Sequence, residues 1–227
     1  MARVAAPDRV GGIVDAALEV FGRLGYSRAQ MADVAEAAGV SVGTLYNYVE
    51  GKEALLLLCA LYAFDPDAAT RGPKPLTVAS RPRFLVQLRQ SLEALTQLPA
   101  LDAALARKRA PADVVGECAR IVEELFDLVG DNRRGLDALE RCARDAPDLA
   151  ALFYDSVRQD LLRDLTAYVT RRARQLDAAV TARWIVESVT WMARHRFGDP
   201  DGGALDAEAV RATTVRLITR AITGGTA

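Results

Sequence analysis

The sequence predicts an all-α protein with a small N-terminal helical domain and a larger helical domain, about nine or ten helices in total. Nearly every segment between glycines and prolines carries apolar residues three or four positions apart, the spacing of one helix face. No alternating run of β-branched residues is long enough to suggest a strand. With 227 residues, of which 51% are hydrophobic, the chain can bury a sizeable core.

The composition excludes several classes of protein. A net charge of −1 and a pI near 6.0 give the whole chain no electrostatic attraction to nucleic acid or anionic membrane, so any polyanion contact must be local. Cys59, Cys118 and Cys142 are far apart in the sequence, which predicts buried free thiols rather than a disulfide framework or zinc site. Without an apolar leader or a membrane-length apolar stretch, we expect a soluble, cytoplasmic protein.

Four helices are predicted in the first quarter of the chain. Asp8 is placed to cap the first, which Gly25 ends. A second runs from Met31 to Gly39, and a third begins after Ser41 and ends near Gly51. A leucine-rich helix over residues 52–64 connects this domain, predicted at residues 1–51, to the rest of the chain at residues 52–227.

Longer helices are predicted for the remainder. Residues 65–80 are rich in proline, glycine, aspartate and threonine, which is typical of a connection. Prolines and capping residues then divide the sequence into predicted helices at 82–98, 101–109, 111–129, 133–144, a long helix capped by Asp148 and continuing to Tyr168, 178–197 and 206–222.

Two of the short N-terminal helices are spaced as a helix-turn-helix. They meet at Ala38-Gly39-Val40, where Gly39 supplies a left-handed turn and Val40 points to the core with Leu45. The side chains left exposed on the second helix offer amide, hydroxyl and methyl groups that suit the base edges of a B-DNA major groove. They are Ser41, Val42, Gly43, Thr44, Tyr46, Asn47 and Tyr48.

Residues 9–56 resemble the N-terminal domain of tetracycline-repressor-type (TetR family) transcriptional regulators. The resemblance is carried by an ungapped series of matches: Ile13, Ala16-Ala17, Phe21 and Gly25, then Val34-Ala35-Glu36-Ala37-Ala38-Gly39-Val40-Ser41, Gly43-Thr44-Leu45-Tyr46-x-Tyr48 and Lys52-Glu53-x-Leu55. It implies a DNA-binding protein whose variable helical C-terminal domain binds an effector.

The resemblance also implies roles for individual residues. Thr44, Tyr46 and Lys52 match positions that usually hold phosphates, and Val42, Gly43, Asn47 and Tyr48 match positions that approach the groove. Met31 falls where the family touches backbone or base, and Ser41, Gln30 and Arg28, with Arg3 and Arg9 at the N-terminus, are further candidates for DNA contact.

Three positions depart from the family pattern. Ala29 stands where a threonine usually caps the second helix, so this cap is either missing or moved to Ser27. Val49 replaces a more usual aromatic residue, and Gly11-Gly12 replace common basic residues.

Specific recognition by one helix-turn-helix calls for a symmetric dimer on two half-sites. The helices at 178–197 and 206–222 resemble the family's dimerising pair, and with their copies would form a four-helix bundle. Glu187, Trp191 and His195 are spaced i, i+4, i+8, which allows either a polar ligand contact or an interface or core stripe. The basic runs at 107–109 and 171–174 are interpreted as solvated helix faces.

The sequence therefore favours a homodimeric repressor that occupies a palindromic operator until a small-molecule effector releases it. The alternative is a helical ligand-binding or architectural protein that binds DNA weakly and has no effector switch. An enzyme is not indicated, because no metalloprotease, phosphate-loop or nucleophile-elbow motif is present. No metal or cofactor is expected.

Overall fold

The computed structural model describes residues 9–224, so Arg3 and the predicted Asp8 cap lie outside the described residues. The all-α class is confirmed: within this range there is no strand, and an isolated parallel bridge joins Val49 to Leu76. The helices are α1 (Arg9–Arg28), α2 (Met31–Ala37), α3 (Val42–Tyr46), α4 (Lys52–Phe64), α5 (Pro66–Arg71), α6 (Arg81–Leu95), α7 (Pro99–Ala106), α8 (Val114–Asp131), α9 (Arg133–Ala143), α10 (Pro147–Leu152), α11 (Arg158–Arg172), α12 (Ala178–Ala193) and α13 (Ala207–Thr223).

The chain divides into two compact units. Within the described range, the first comprises residues 9–95 and 134–157, and the second comprises residues 96–133 and 158–224. The first unit therefore holds the helix-turn-helix together with α4 to α6 and a later stretch containing nearly all of α9 and α10. The functional boundary predicted between residues 51 and 52 stays a prediction.

The first unit is organised around α4, whose leucine-rich sequence is buried on most sides. α4 packs against α1, α5 and α6, and α10 packs on α6. The interior is apolar, and its largest fully buried side chains include Phe21, Leu45, Leu55, Phe84 and Leu149. The small helix-turn-helix is thus built onto a core to which the later helices also contribute.

The second unit is a bundle built on α8. This helix packs against α7, α12 and α13, and α11 packs against α7 and α12. α8 presents one apolar face inward, including Ile121, Leu125 and Val129. The buried Leu165 and Val189 come from α11 and α12.

Two predicted helices have other bounds in the structure, for identifiable reasons. α3 ends at Tyr46 rather than near Gly51, because the next residues pair with an extended segment. The Leu76 N–H donates to the Tyr48 carbonyl at 2.7 Å, and the Leu76 carbonyl accepts from Glu50 N–H at 3.0 Å. Asp148 does not cap a long helix. Its carboxylate binds Arg81, and the expected helix is divided into α10, a π-helix at Phe153–Val157 and α11.

The other differences explain why there are more helices than expected. The presumed connection at 65–80 contains α5, whose N-terminus is capped by Asp65 accepting from Ala68 N–H at 2.8 Å. α12 stops at Ala193 rather than 197, because Arg194 leaves helical geometry with φ −129° and ψ −63°. Short 3-10 turns follow at His195–Gly198 and Gly202–Ala204.

Candidate nucleic-acid interface

The turn between α2 and α3 has the geometry that the sequence predicted. Gly39 lies at φ 64°, the left-handed region in which a side chain is disfavoured. Val40 N–H then donates to the Ala35 carbonyl at 2.9 Å. Val34 and Leu45 are almost completely buried and anchor the two helices to the core. The outward face of α3 is therefore held on a rigid support.

Ser41 begins α3 as its N-cap. Its hydroxyl oxygen accepts from Thr44 N–H at 3.0 Å and lies 2.8 Å from the Thr44 hydroxyl oxygen. A side-chain cap of this kind stabilises a helix N-terminus by about 1 kcal/mol. Because the helix has only five residues, this local bond is important for its shape.

Most of the residues predicted to touch DNA are exposed. Arg28, Gln30, Ser41, Val42, Gly43, Tyr46 and Asn47 are exposed, whereas Met31, Thr44, Tyr48 and Lys52 are half-buried. Val42 and Tyr46 are 40% and 45% exposed, which is unusual for apolar and aromatic side chains on a helix this close to a core. We call the exposed side of residues 41–47 the reading face.

Lys52 has a different set of partners from the one the sequence suggested. Its ammonium donates to the backbone carbonyls of Tyr26 at 2.7 Å, Ala29 at 3.1 Å and Ser27 at 3.4 Å. It also lies 4.6 Å from the centroid of the Tyr26 ring. A lysine ammonium has three N–H donors, and all three are directed to the protein here.

The carbonyls that Lys52 binds belong to the corner between α1 and α2, residues 25–30. Ala29, which stands at the family's threonine position, is buried. The cap has not moved to Ser27. The N-cap residue is Gln30, and its backbone N–H is bound by the Asp33 carboxylate at 2.8 Å. Ser27 is committed elsewhere, because its hydroxyl donates to the Asp145 carbonyl at 2.9 Å.

Sequence reasoning missed one cation beside the reading face. The pairing of Leu76 with Tyr48 places Lys74 so that its ammonium lies 5.8 Å from the centroid of the Tyr48 ring. The Lys74 side chain is exposed and donates to the Thr70 carbonyl, which leaves two of its three donors unused. Nothing in the local sequence indicates this proximity, which arises from the backbone pairing.

Comparison with known proteins agrees with this geometry. Residues 13–59 match the family model described as bacterial regulatory proteins, tetR family. The chain is 29% identical over 188 residues to the HTH-type transcriptional repressor KstR of Rhodococcus jostii, covering 81% of this chain and 83% of KstR. Residues 13–59 therefore form a DNA-binding domain of the tetR-family type, and the rest of the chain is similar to repressors that carry such a domain.

Solved structures of bacterial regulators share the fold of this chain. The regulator PfmR from Thermus thermophilus superposes with a TM-score of 0.57 at 18% identity, over 99% of this chain and 100% of that one. AibR, solved with isovaleryl coenzyme A and operator DNA, superposes with a TM-score of 0.54 at 18% identity, over 92% and 97%. The likeness extends beyond the helix-turn-helix to the larger helical region.

The second unit contains buried polar groups among its apolar side chains. Glu117 of α8 is 2% exposed and binds Arg107 at 2.8 Å and Arg172 at 2.9 Å. The Arg172 side chain is itself 8% exposed, so the interpretation of its basic run as a solvated face is wrong at this position.

Two buried hydroxyl groups lie in the same unit. The Tyr168 and Thr219 oxygens have the Cys118 thiol beside them as a weak hydrogen-bond partner and no stronger partner within the described residues. Burial raises the pKa of that thiol to about 11, so it stays protonated. Buried hydroxyls with so weak a partner are uncommon in native proteins.

The proposed ligand triad is not brought together. Glu187 and Trp191 lie on α12, but His195 lies beyond its end in a 3-10 turn, so the spacing no longer places it on their face. All three side chains are exposed, and the Glu187 carboxylate pairs with Arg158 and, at 2.8 Å, with Arg183. Their ligand role stays a prediction without an enclosed site around them.

An apolar groove lies along α12 and α13. It encloses about 360 Å³, and its walls include Trp184, Met192, Leu205 and Leu217. Trp184 is 46% exposed and Leu217 57% exposed, and Val180 on the same side of α12 is 68% exposed. Large apolar side chains collected on one face in this way mark an interaction surface.

Other kinds of site are not found in the part of the chain that the structure describes. Residues 9–224 contain no group of three or more histidine, cysteine or acidic side chains that could hold a metal ion. Cys59, Cys118 and Cys142 are free and buried. None of the described helices combines the length and hydropathy required to cross a membrane.

Proposed function

We propose that this chain is a TetR-family transcriptional repressor that binds a palindromic operator as a homodimer and is released by a small-molecule effector. The observation that carries the proposal is the reading face: polar, aromatic and methyl groups exposed on α3, which is held rigidly by the Gly39 turn. An α-helix whose outer face is exposed in this way fits the width of the major groove. Because the target is chromosomal, we place its action in the cytoplasm.

The reading face divides by chemistry into two sets. Asn47 and Val42 suit base edges, since an amide can bond to adenine and an apolar group can contact the thymine methyl. Gly43 lets the backbone come close, and the half-buried Tyr48 borders the same surface. Tyr46, Ser41 and Thr44 supply hydroxyl groups that suit phosphate oxygens. Arg28, Gln30 and Met31 border the same surface from the α2 side.

We assign the cationic phosphate contact at the end of α3 to Lys74 in place of Lys52. The donors of Lys52 are used by three carbonyl oxygens of the corner, and a phosphate would have to displace at least one of them. Lys74 is exposed next to Tyr48 and keeps free donors. Arg28 is a second candidate cation, because its Nε is used by the Leu24 carbonyl while its remaining N–H groups face solvent.

We propose that the second copy covers the apolar face of α12 and α13. Trp184, Val180 and Leu217 are too exposed and too close together for a surface that stays in water. Two copies of this helix pair related by a twofold axis would form a four-helix bundle, an arrangement common in symmetric dimers. Such a dimer would present two reading faces to the two halves of a palindrome.

The effector is proposed to bind within residues 52–227, with the buried hydroxyls of Tyr168 and Thr219 exchanging their weak contact with the Cys118 thiol for its polar group. Two hydroxyl donors beside a neutral thiol suit a carbonyl oxygen. AibR was solved with isovaleryl coenzyme A, so acyl thioesters are the first class to assay. Release requires that the effector bind the DNA-free conformation more tightly, since equal affinity for both conformations shifts nothing.

The proposal is tested by selecting duplexes from fragmented genomic DNA with the purified protein and measuring release. We expect enrichment of one palindromic sequence, and loss of binding when short-, medium- or long-chain acyl-coenzyme A is added at saturating concentration. Free coenzyme A and the free acids serve as controls. Failure to enrich any sequence would refute the DNA-binding assignment, and an operator affinity unchanged by every thioester would refute this class of effector.

A further inference from the structure

The corner between α1 and α2 is held by a carboxylate from a distant part of the chain. Gly25 lies at φ 79° and ψ 178°, which bends the end of α1 and turns the next backbone N–H groups to one side. The Asp145 carboxylate accepts from Tyr26 N–H at 3.1 Å and from Ser27 N–H at 3.2 Å, one oxygen each. The Ser27 hydroxyl in turn donates to the Asp145 backbone carbonyl at 2.9 Å.

Gly25 has two reasons to be glycine in this arrangement. Its backbone conformation is one that residues with side chains rarely adopt. A Cβ at this position would also lie 2.5 Å from the nearer Asp145 carboxylate oxygen, closer than any van der Waals contact allows. The carboxylate is therefore seated in a pocket of backbone that only glycine leaves open.

A second contact fixes the same corner through Tyr26. The Tyr26 hydroxyl accepts from Arg81 at 2.8 Å, and Arg81 is bound to Asp148 by two hydrogen bonds of 2.7 and 2.8 Å. That bidentate pairing holds the pKa of the Asp148 carboxyl below its usual value. Asp145 lies between α9 and α10, and Asp148 lies three residues later in the first turn of α10, so one short stretch binds the corner directly and through Arg81.

The stretch that carries these carboxylates has an unusual position in the chain. Residues 134–157, which we call the connecting segment, belong to the first unit, while the residues before and after them belong to the second. The segment ends in the π-helix at Phe153–Val157, a form that is frequent at functional sites. Both ends of the connecting segment are therefore joined covalently to residues of the second unit.

The corner leads directly into the DNA-reading helices. α2 begins at Met31, one residue after the corner, and α3 packs on α2. Bonds that fix the backbone at Tyr26 and Ser27 therefore fix where α2 starts. We propose that Asp145 is a positioning residue: it couples the connecting segment to the corner, so that the placement of the segment and that of the reading face change together. This inference rests on the proposed function.

The test uses hydrogen–deuterium exchange with and without the palindromic duplex obtained by selection. Coupling is reciprocal, so a contact that carries a signal to the reading face must also carry the effect of DNA back to the segment. In the wild-type protein we expect the duplex to slow exchange in α2 and α3 and also at residues 134–157. In Asp145→Asn, which keeps the side chain's shape but loses its charge and one acceptor, the duplex should still protect α2 and α3 and no longer protect the segment.

Two further variants keep the outcome decisive. Asp155→Asn changes an exposed carboxylate of the same segment that has no hydrogen-bond or ion-pair partner within the described residues, and it should behave as wild type. Ser27→Ala removes the hydrogen bond from the Ser27 hydroxyl to the Asp145 carbonyl and should give a partial loss of segment protection. This variant tests the inference if Asp145→Asn does not fold. Equal segment protection in Asp145→Asn, Ser27→Ala and wild type would overturn the inference. The inference would also be overturned if the duplex protected α2 and α3 in the wild-type protein but did not protect residues 134–157. If the selection gave no specific duplex, the proposed function would be refuted instead.

Discussion

Replacing Lys52 by alanine should reduce the stability of the protein and leave the salt dependence of DNA binding unchanged. The substitution removes hydrogen bonds from an ammonium to three carbonyl oxygens, at 2.7, 3.1 and 3.4 Å, and the contact with the Tyr26 ring. A hydrogen bond to a charged group contributes about 1.5–3 kcal/mol by deletion, but the longest of the three is weak and exposed carbonyls regain water. We therefore expect a loss of about 2–4 kcal/mol in the free energy of unfolding.

Lys74→Ala is the matched control because it removes the same charge from a side chain beside Tyr48. Its side chain is exposed, so the stability should change by no more than about 0.5 kcal/mol. A lost phosphate contact lowers the slope of log K against log salt by about 0.9, or about 1.8 for a dimer. Across all contacts, about 4 to 6 ionic pairs in the dimer predict a total slope of roughly −4 to −5.

The assay combines thermal unfolding with fluorescence anisotropy on a labelled operator at several salt concentrations. For a chain of this size, the expected loss in Lys52→Ala lowers the melting temperature by roughly 5–15 °C. The reasoning would be refuted if Lys52→Ala melted like wild type and showed a reduced slope, while Lys74→Ala kept the full slope. A wild-type slope near −10 would show that other cations hold the DNA backbone.

Three further predictions concern the corner, the acid response and the dimer. Gly25→Ala should cost about 2–4 kcal/mol in unfolding free energy by urea titration, since it strains the backbone and expels the Asp145 carboxylate, whereas Gly22→Ala in the same helix has open space and should be neutral or stabilising. Because Asp148 has a lowered pKa in the folded state, its pairing with Arg81 stabilises the protein above the unfolded-state pKa of about 3.9 and is lost as the pH falls through the folded value. The stability difference between wild type and Arg81→Met should therefore shrink on acidification from pH 7, and a constant difference would contradict the pairing. Leu217→Arg should give monomers in analytical ultracentrifugation, while Val86→Arg, equally exposed on α6, should stay dimeric; a dimeric Leu217→Arg would exclude the proposed interface.

The fold class and the helix-turn-helix could be predicted because their signals are local. Glycine at a left-handed turn and apolar residues at helical spacing act within a few residues, and Gly39, Ser41 and Leu45 all lie where the sequence placed them. Helix ends were predicted less well, because distant partners decide them. Leu76 ends the third helix by pairing with Tyr48 and Glu50, and this pairing has no signature in either stretch.

The candidate site shows the same division. The exposure of Val42, Tyr46 and Asn47 follows from their position on α3 and could be predicted. The contacts of Lys52 with backbone carbonyls could not be predicted, because a lysine at the start of a helix is equally suited to a phosphate and to the carbonyls at the end of another helix. The positions of Lys74 and Asp145 depend on contacts across 26 and 119 residues of sequence, which periodicity does not report.

The central claim, that this chain reads a specific palindrome as a dimer, is tested most directly by its relative affinity for the selected duplex and for the same duplex with both half-sites scrambled. The affinities are measured at one fixed salt concentration, because the nonspecific contribution depends on salt. The account predicts two protomers bound per duplex and a preference of about a thousandfold or more for the selected sequence. Equal affinity for the two duplexes would contradict it.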